Sequence, residues 1–342
     1  MILAALEPGP SAVAATVFAL LAAFCFVDRR VDRSLVVLGL YLGLLDGYLK
    51  LRTGSPFVTL GRDVLVLAIA GGALLRTLGS DRRLPLPPLG GLVLGFAAIV
   101  LVEVLNPEAR PLASGLAGVR QHLEFVPLFF LGYAFMRRER QVQQLLLVLV
   151  ICAAVGGVVS YIQSTLTPEQ FASWGPGYSD RILGGGVFYG AGRVAFDASG
   201  MPLVRPFGLG SDSGAGAVAA ALAIPALIAL LMRSHGRLRL LLMPLAVGIG
   251  LAVATSGSRA ALITVFASAA AFGLLAATSR NALRVIVGLI VGATVIYGAF
   301  SVLGPQNTTA QRAQSIAPSK VISTFSQERG LGLSKFGEYL YD

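Results

Sequence analysis

Between Ser11 and Leu303 the chain repeats one pattern, an apolar block followed by a short polar connection. A helix crossing the hydrocarbon core of a bilayer needs about 20 mostly apolar residues at about 1.5 Å rise each. Blocks near that length lie at 11–27, 34–49, 58–77, 89–105, 117–136, 143–162, 214–232, 239–256, 259–277 and 285–303. The second is short and carries Asp46. Charged residues make up 13% of the chain, against about 25% in an ordinary soluble domain. That is too little to cover a water-facing surface. The pattern predicts an all-α fold, a polytopic transmembrane bundle of about ten helices, with residues 1–342 forming a single transmembrane domain.

The connections fix an orientation. Arg29, Arg30 and Arg33 follow the first block, Arg76, Arg82 and Arg83 the third, and Arg137, Arg138 and Arg140 the fifth. Arg233, Arg237 and Arg239 follow the seventh, and Arg280 and Arg284 the ninth. Basic residues in short loops stay on the cytoplasmic side, and five alternate connections agree. The N-terminus, the loop at 163–213 and the tail at 304–342 are then expected outside. The loop is rich in glycine, as in Gly184-Gly185-Gly186 and Gly208-Leu209-Gly210. A connection of that length in a compact protein is usually functional or disordered. The tail ends in Leu333–Leu340, which reads as the start of a helix, so a further loop and further helices are expected beyond Asp342. Met1 to Pro10 lacks a basic n-region, so the first block is expected to be retained and not cleaved as a signal peptide.

Several functions are disfavoured. The net charge is +10, but the arginines sit in short groups between apolar blocks and not along one soluble face, which argues against a nucleic-acid partner. Cys25 and Cys152 both fall inside apolar blocks and suggest neither a disulfide nor a metal site. With no Cys/His cluster and no HExxH, no metal and no cofactor is expected.

The remaining charges are more telling, because charge near a membrane is expensive and marks functional positions. Arg259 follows Thr255-Ser256-Gly257-Ser258 and opens an apolar helix, and Arg205 precedes Pro206–Ser213 just before another. Guanidinium groups match phosphate oxygens and stay charged when desolvated, and helix starts add free N–H groups. Arg120 and Arg193 extend this expected anion-binding set, while His122, Glu124 and Asp212 are the candidate bases. Set against this, arginines can snorkel to headgroups or pair with carboxylates, and His122 can be an interfacial packing residue. Asp46, Arg62 and Asp63 can pair across helices. Trp174 and Tyr178 read either as interfacial aromatics or as a platform on which a sugar stacks.

The run Arg205-Pro206-Phe207-Gly208-Leu209-Gly210-Ser211-Asp212-Ser213-Gly214-Ala215, then two helices, then Thr255-Ser256-Gly257-Ser258-Arg259-Ala260-Ala261, resembles the O-antigen ligase and O-antigen polymerase superfamily. The segment Gly118–Glu124 leading into an aromatic-rich helix is similar too, and the resemblance covers roughly 110–300. It implies a multi-pass glycosyltransferase of the GT-C type in the bacterial inner membrane. Such enzymes take a glycan from an undecaprenyl-pyrophosphate-linked oligosaccharide donor on the extracytoplasmic face and pass it to a glycan or lipid acceptor. They work among membrane lipids without a nucleotide sugar and, in the ligases, without metal. Arg205 and Arg259 match the family's motif arginines and would bind the pyrophosphate. Ligases of the family carry a histidine in a late external loop, whereas no histidine follows His235 here. The resemblance therefore leaves either a polymerase-like member with another base or a catalytic part beyond Asp342. The family's usual twelve helices with cytoplasmic ends also differ from the ten read here.

Two other classes fit the same blocks. A secondary transporter or flippase for an anionic or lipid-linked substrate would carry charges near the midplane on broken helices. A non-catalytic membrane scaffold would leave the outward arginines unexplained.

Overall fold

The computed structural model describes residues 10–79, 85–104, 112–183, 194–196, 202–212, 215–234 and 236–255, with 264, 265, 267 and 268. They fall into two compact units, Met1–Leu149 and Val150–Asp342. Apart from one short hairpin the described elements are helical. Four helical runs are long and apolar enough to cross a membrane by length and composition: Val31–Thr53, Glu139–Ser164, Gly216–Arg233 and Arg237–Thr255. Of the expected block at 259–277 only four residues are described, and the block at 285–303 and the tail lie outside the described residues.

In the first unit, α1 (Pro10–Val27) packs against α4 (Pro56–Leu78) at positions where the sequence has no side chain. A Cβ on Gly61 would fall 2.9 Å from the Phe18 ring, and one on Gly72 would collide with the backbone of Phe26. Close approach through glycine is how apolar helices gain dispersion contact when lipid is as apolar as they are. Arg76, near the end of α4, then donates from Nη1 to Phe26 O at 2.5 Å. It supplies a cation to the carbonyl end of α1. Leu38, Leu65, Val66 and Ile69 complete the core together with Cys25, which is a free thiol.

The second expected block, 34–49, is longer than its apolar stretch suggests. Helix α2 (Val31–Tyr41) runs through a π-helical turn (Leu42–Asp46) into α3 (Gly47–Thr53) without interruption. The π turn inserts one extra residue, which rotates the following side chains and re-aims Asp46. Gly54 (φ 62) closes the run in the left-handed conformation that glycine adopts without penalty.

Helix α5 (Gly90–Glu103) matches the block at 89–105. The block at 117–136 is a correction: it forms not one helix but two, α6 (Leu112–Leu123) and α7 (Val126–Phe135), with a turn at Glu124–Phe125. Pro127, in the first turn of α7, is the reason. It has no N–H to continue the α6 ladder. Glu124 N still bonds Arg120 O, and the next helix restarts with Leu128 N on Phe125 O.

Helix α8 (Glu139–Ser164) is 26 residues long, about 39 Å at the usual rise. Its C-terminal half belongs to the second unit. There Gly157 lies against Gly248 of α12 (Arg237–Thr255) so closely that a Cβ on either would strike backbone. Helix α11 (Ala215–Arg233) packs on α12, and Ser268 Oγ donates to Ala221 O of α11 at 3.2 Å. The expected loop at 163–213 is partly regular. It contains α9 (Pro168–Ala172), α10 (Pro176–Ile182) and an antiparallel hairpin of β1 (Val194–Phe196) and β2 (Pro202–Val204), with Ala195 opposite Leu203. Thr167 and Gln170 form a reciprocal capping box at the start of α9.

Candidate functional site

Polar side chains gather at two places, one in each unit. In the first, Arg62 on α4 is the hub. Its Nη2 donates to Glu124 Oε2 at 2.6 Å, a charge-assisted hydrogen bond, and its Nε lies 2.5 Å from Glu124 Oε1. Its Nη1 reaches Asp46 Oδ2 at 3.4 Å, and Asp63 Oδ1 lies 3.8 Å from Nε. The other oxygen of Asp63 lies 2.6 Å from Arg120 Nε as an ion pair. Tyr41 Oη donates to Asp46 Oδ1 at 3.4 Å, and Arg62 also stands 5.5 Å over the Phe125 ring.

The depth of this cluster follows from the helices. Asp46 precedes the end of its helical run at Thr53 by seven residues, and Arg62 follows the start of α4 at Pro56 by six. Both therefore lie about 10 Å along the helix from the same end of the pair. Lys50, one turn after Asp46, brings the local inventory to three carboxylates and three cations. Charges so placed cancel one another, and their desolvation is offset by mutual attraction.

Arg120 and Glu124 are four residues apart in the chain. They do not pair with each other across their turn of α6; each reaches a different residue of α4. Glu124, whose side chain is only 6% exposed, is held as the ionic partner of Arg62. His122 is exposed and meets the Phe96 ring edge-on, with centroids 6.4 Å apart.

The second gathering is the turn Arg205–Asp212, which leads into α11. Its anchor is Gln163, 1% exposed at the end of α8. The Gln163 Oε1 accepts from Phe207 N at 2.9 Å and from Gly208 N at 2.7 Å, and its Nε2 donates to Gly208 O at 2.9 Å. One neutral side chain thus satisfies three buried backbone groups, as burial requires. Gly208 has φ +62, and a Cβ there would lie 2.9 Å from Ser160 Oγ and 3.0 Å from Gly156 O. Only glycine fits this close against α8. Phe207 is fully buried and stacks on Tyr178 at 5.9 Å with 15° between the ring planes. Phe171 adds a 5.3 Å contact to Phe207, and Trp174 packs edge-on against Phe171 and Tyr178. Tyr178 is therefore core and offers no face to a sugar, which corrects the stacking-platform reading for that residue.

At the other end of the turn, Arg181 of α10 donates from Nη1 to Ser211 O and lies 3.7 Å from Asp212 Oδ1. Asp212 is half exposed beside it. Arg205 is half-buried with its Nε enclosed. Arg193 and Arg259 lie outside the described residues. Among the described residues no group of three His, Cys, Asp or Glu side chains is arranged to hold a metal ion.

Sequence reasoning did not single out Gln163 or Arg181, nor that Arg62 joins Glu124 to Asp46. The available signal for Gln163 was a lone amide directly after the apolar stretch Leu145–Ile162. No family model, curated protein or solved structure matches the chain.

Proposed function

We propose that the chain is a membrane glycosyltransferase of the O-antigen ligase or polymerase kind. It spans the bacterial inner membrane about ten times and transfers glycan from an undecaprenyl-pyrophosphate-linked donor on the extracytoplasmic face. The observation that carries this reading is the Arg205–Asp212 turn, wedged against α8 and preceding α11 in the chain. A guanidinium beside a helix start suits a diphosphate. In the reaction an acceptor hydroxyl attacks the anomeric carbon, the bond to the diphosphate breaks, and Arg205 with Arg259 would stabilise the charge growing on the leaving group. The hydroxyl proton needs a base. Asp212, exposed on the same turn, is the candidate from this unit, whereas Glu124 is engaged with Arg62.

The test is glycan transfer in proteoliposomes with a lipid-pyrophosphate donor. Arg205→Ala and Arg259→Ala should each insert normally and lose transfer by about 100-fold or more, the scale of removing one stabilising donor. Lysine at either position should restore only part of it. Full activity in both alanine variants would overturn the assignment.

A second reading has its own observation. The π turn at Asp46 and the break at Glu124 are irregular helical segments joined by charge through Arg62, a feature that suits a transporter or flippase. Counterflow of a lipid-linked substrate in liposomes without acceptor, lost in Arg62→Leu and kept in Arg205→Ala, would favour that alternative.

A further inference from the structure

The turn that carries Arg205 is held at both ends by side chains from elsewhere in the chain. Gln163 fixes its first half through three hydrogen bonds to Phe207 and Gly208, and Arg181 fixes its second half at Ser211 and Asp212. Gly210 N closes the turn itself on Phe207 O at 3.1 Å. We infer that Gln163 and Arg181 are positioning residues: they frame residues 205–212 in advance, so that Arg205 meets a diphosphate without ordering the loop on binding.

The physical reasons are specific. Two successive amides, Phe207 N and Gly208 N, converge on one acceptor, with Gly208 in the left-handed conformation. Consecutive N–H groups in such a turn form a concavity that attracts anions. Here Gln163 Oε1 fills it. The diphosphate is thereby excluded from these amides and left to the side of the turn that bears Arg205. A neutral amide is suited to that task, because it satisfies both donors without adding a negative charge near the ligand. Fixing a loop before binding raises affinity by removing the ordering cost from the binding step. This inference rests on the diphosphate-binding reading above.

The experiment uses the full chain in lipid nanodiscs with two readouts. Amide hydrogen exchange over 205–212 reports the frame, and titration with undecaprenyl diphosphate, with undecaprenol as reference, reports the site. Wild type should protect Phe207 and Gly208 and prefer the diphosphate to the alcohol. Gln163→Leu should expose those amides while α11 and α12 stay protected, and should weaken diphosphate binding about tenfold without changing undecaprenol binding. Arg181→Ala should do the same to a smaller extent, about threefold. Should Gln163→Leu fail to fold, Gln163→Glu takes its place. Its ionised carboxylate can accept from both amides but cannot donate to Gly208 O, so its affinity relative to wild type should improve at acid pH, where the protonated acid supplies the missing donor.

A Gln163→Leu chain that keeps amide protection, or that loses it and binds diphosphate as wild type does, overturns the positioning role alone. A wild-type chain that does not distinguish diphosphate from alcohol overturns the glycosyltransferase reading and the inference with it.

Discussion

The two polar gatherings solve one problem in opposite ways. Around Arg62, charged side chains from the π turn, α4, α6 and the turn at Glu124 neutralise each other. Around Gln163, a single uncharged side chain satisfies backbone amides, and the charged groups Arg205, Arg181 and Asp212 stand at the edge of the turn. The first arrangement pairs its charges with one another; the second keeps its innermost contacts neutral and places Arg181, on Ser211 O, beside Asp212. The difference indicates why arginine content alone is a poor guide to function in an apolar chain. Arg62 and Arg205 look alike in sequence, yet one is a cross-link between helices and the other lies half-buried on a turn.

The comparison breaks most visibly at Arg62. Leucine there leaves Asp46, Asp63 and Glu124 facing one another with little exposure, and losing one partner of a buried ion network costs about 3–5 kcal/mol. Thermal unfolding in detergent should register the loss, and adding Glu124→Gln to Arg62→Leu should recover part of it. If Arg62→Leu melts with wild type, the cluster is not a structural cross-link and the transporter reading gains ground.

Gly208→Ala probes the other arrangement with a somewhat smaller effect. The new Cβ would need a left-handed backbone and would press on Ser160 Oγ and Gly156 O. The backbone preference costs about 1–2 kcal/mol and overpacking about 1–3 kcal/mol. Unlike Arg62→Leu, this loss should be rescued by no change in charge; pairing it with Ser160→Gly, which removes the obstructing hydroxyl, should return some stability. Unchanged melting of Gly208→Ala would mean the turn is not seated on α8.

Part of the helical pattern was legible because it rests on block length, which is read directly from residues. What escaped depended on geometry that periodicity does not carry. Pro127 sits inside an apolar block, and only its missing N–H explains why 117–136 divides at Glu124. The π turn before Gly47 rotates Asp46 in a way no residue pattern announces. That Asp46, Arg62 and Asp63 would pair was readable from the price of lone charges in an apolar helix; that Glu124 would be the closest partner was not, because it depends on how α4 meets the α6–α7 turn. Arg205 was read as preceding a helix start, and it lies ten residues before Ala215, the first residue of α11. Gln163 and Arg181 were not legible, since their partners are 44 and 30 residues away in the chain.

The smallest expected effect lies at Arg120, and it sharpens the comparison by locating the boundary of the first cluster. Its Nε contacts Asp63 Oδ2 at 2.6 Å, but its side chain is 40% exposed, whereas that of Glu124 is 6% exposed. An ion pair whose arginine is partly exposed contributes about 0–1 kcal/mol and weakens with salt. A double-mutant cycle of Arg120→Ala with Asp63→Asn should therefore give a coupling below about 1 kcal/mol that shrinks as ionic strength rises. The cycle of Arg62→Leu with Glu124→Gln should give a larger, salt-insensitive value, because that pair is screened from water. Equal couplings in the two cycles would mean that Arg120 is as desolvated as Arg62. It would then be one more internal cross-link of the first unit, held as firmly as Arg62.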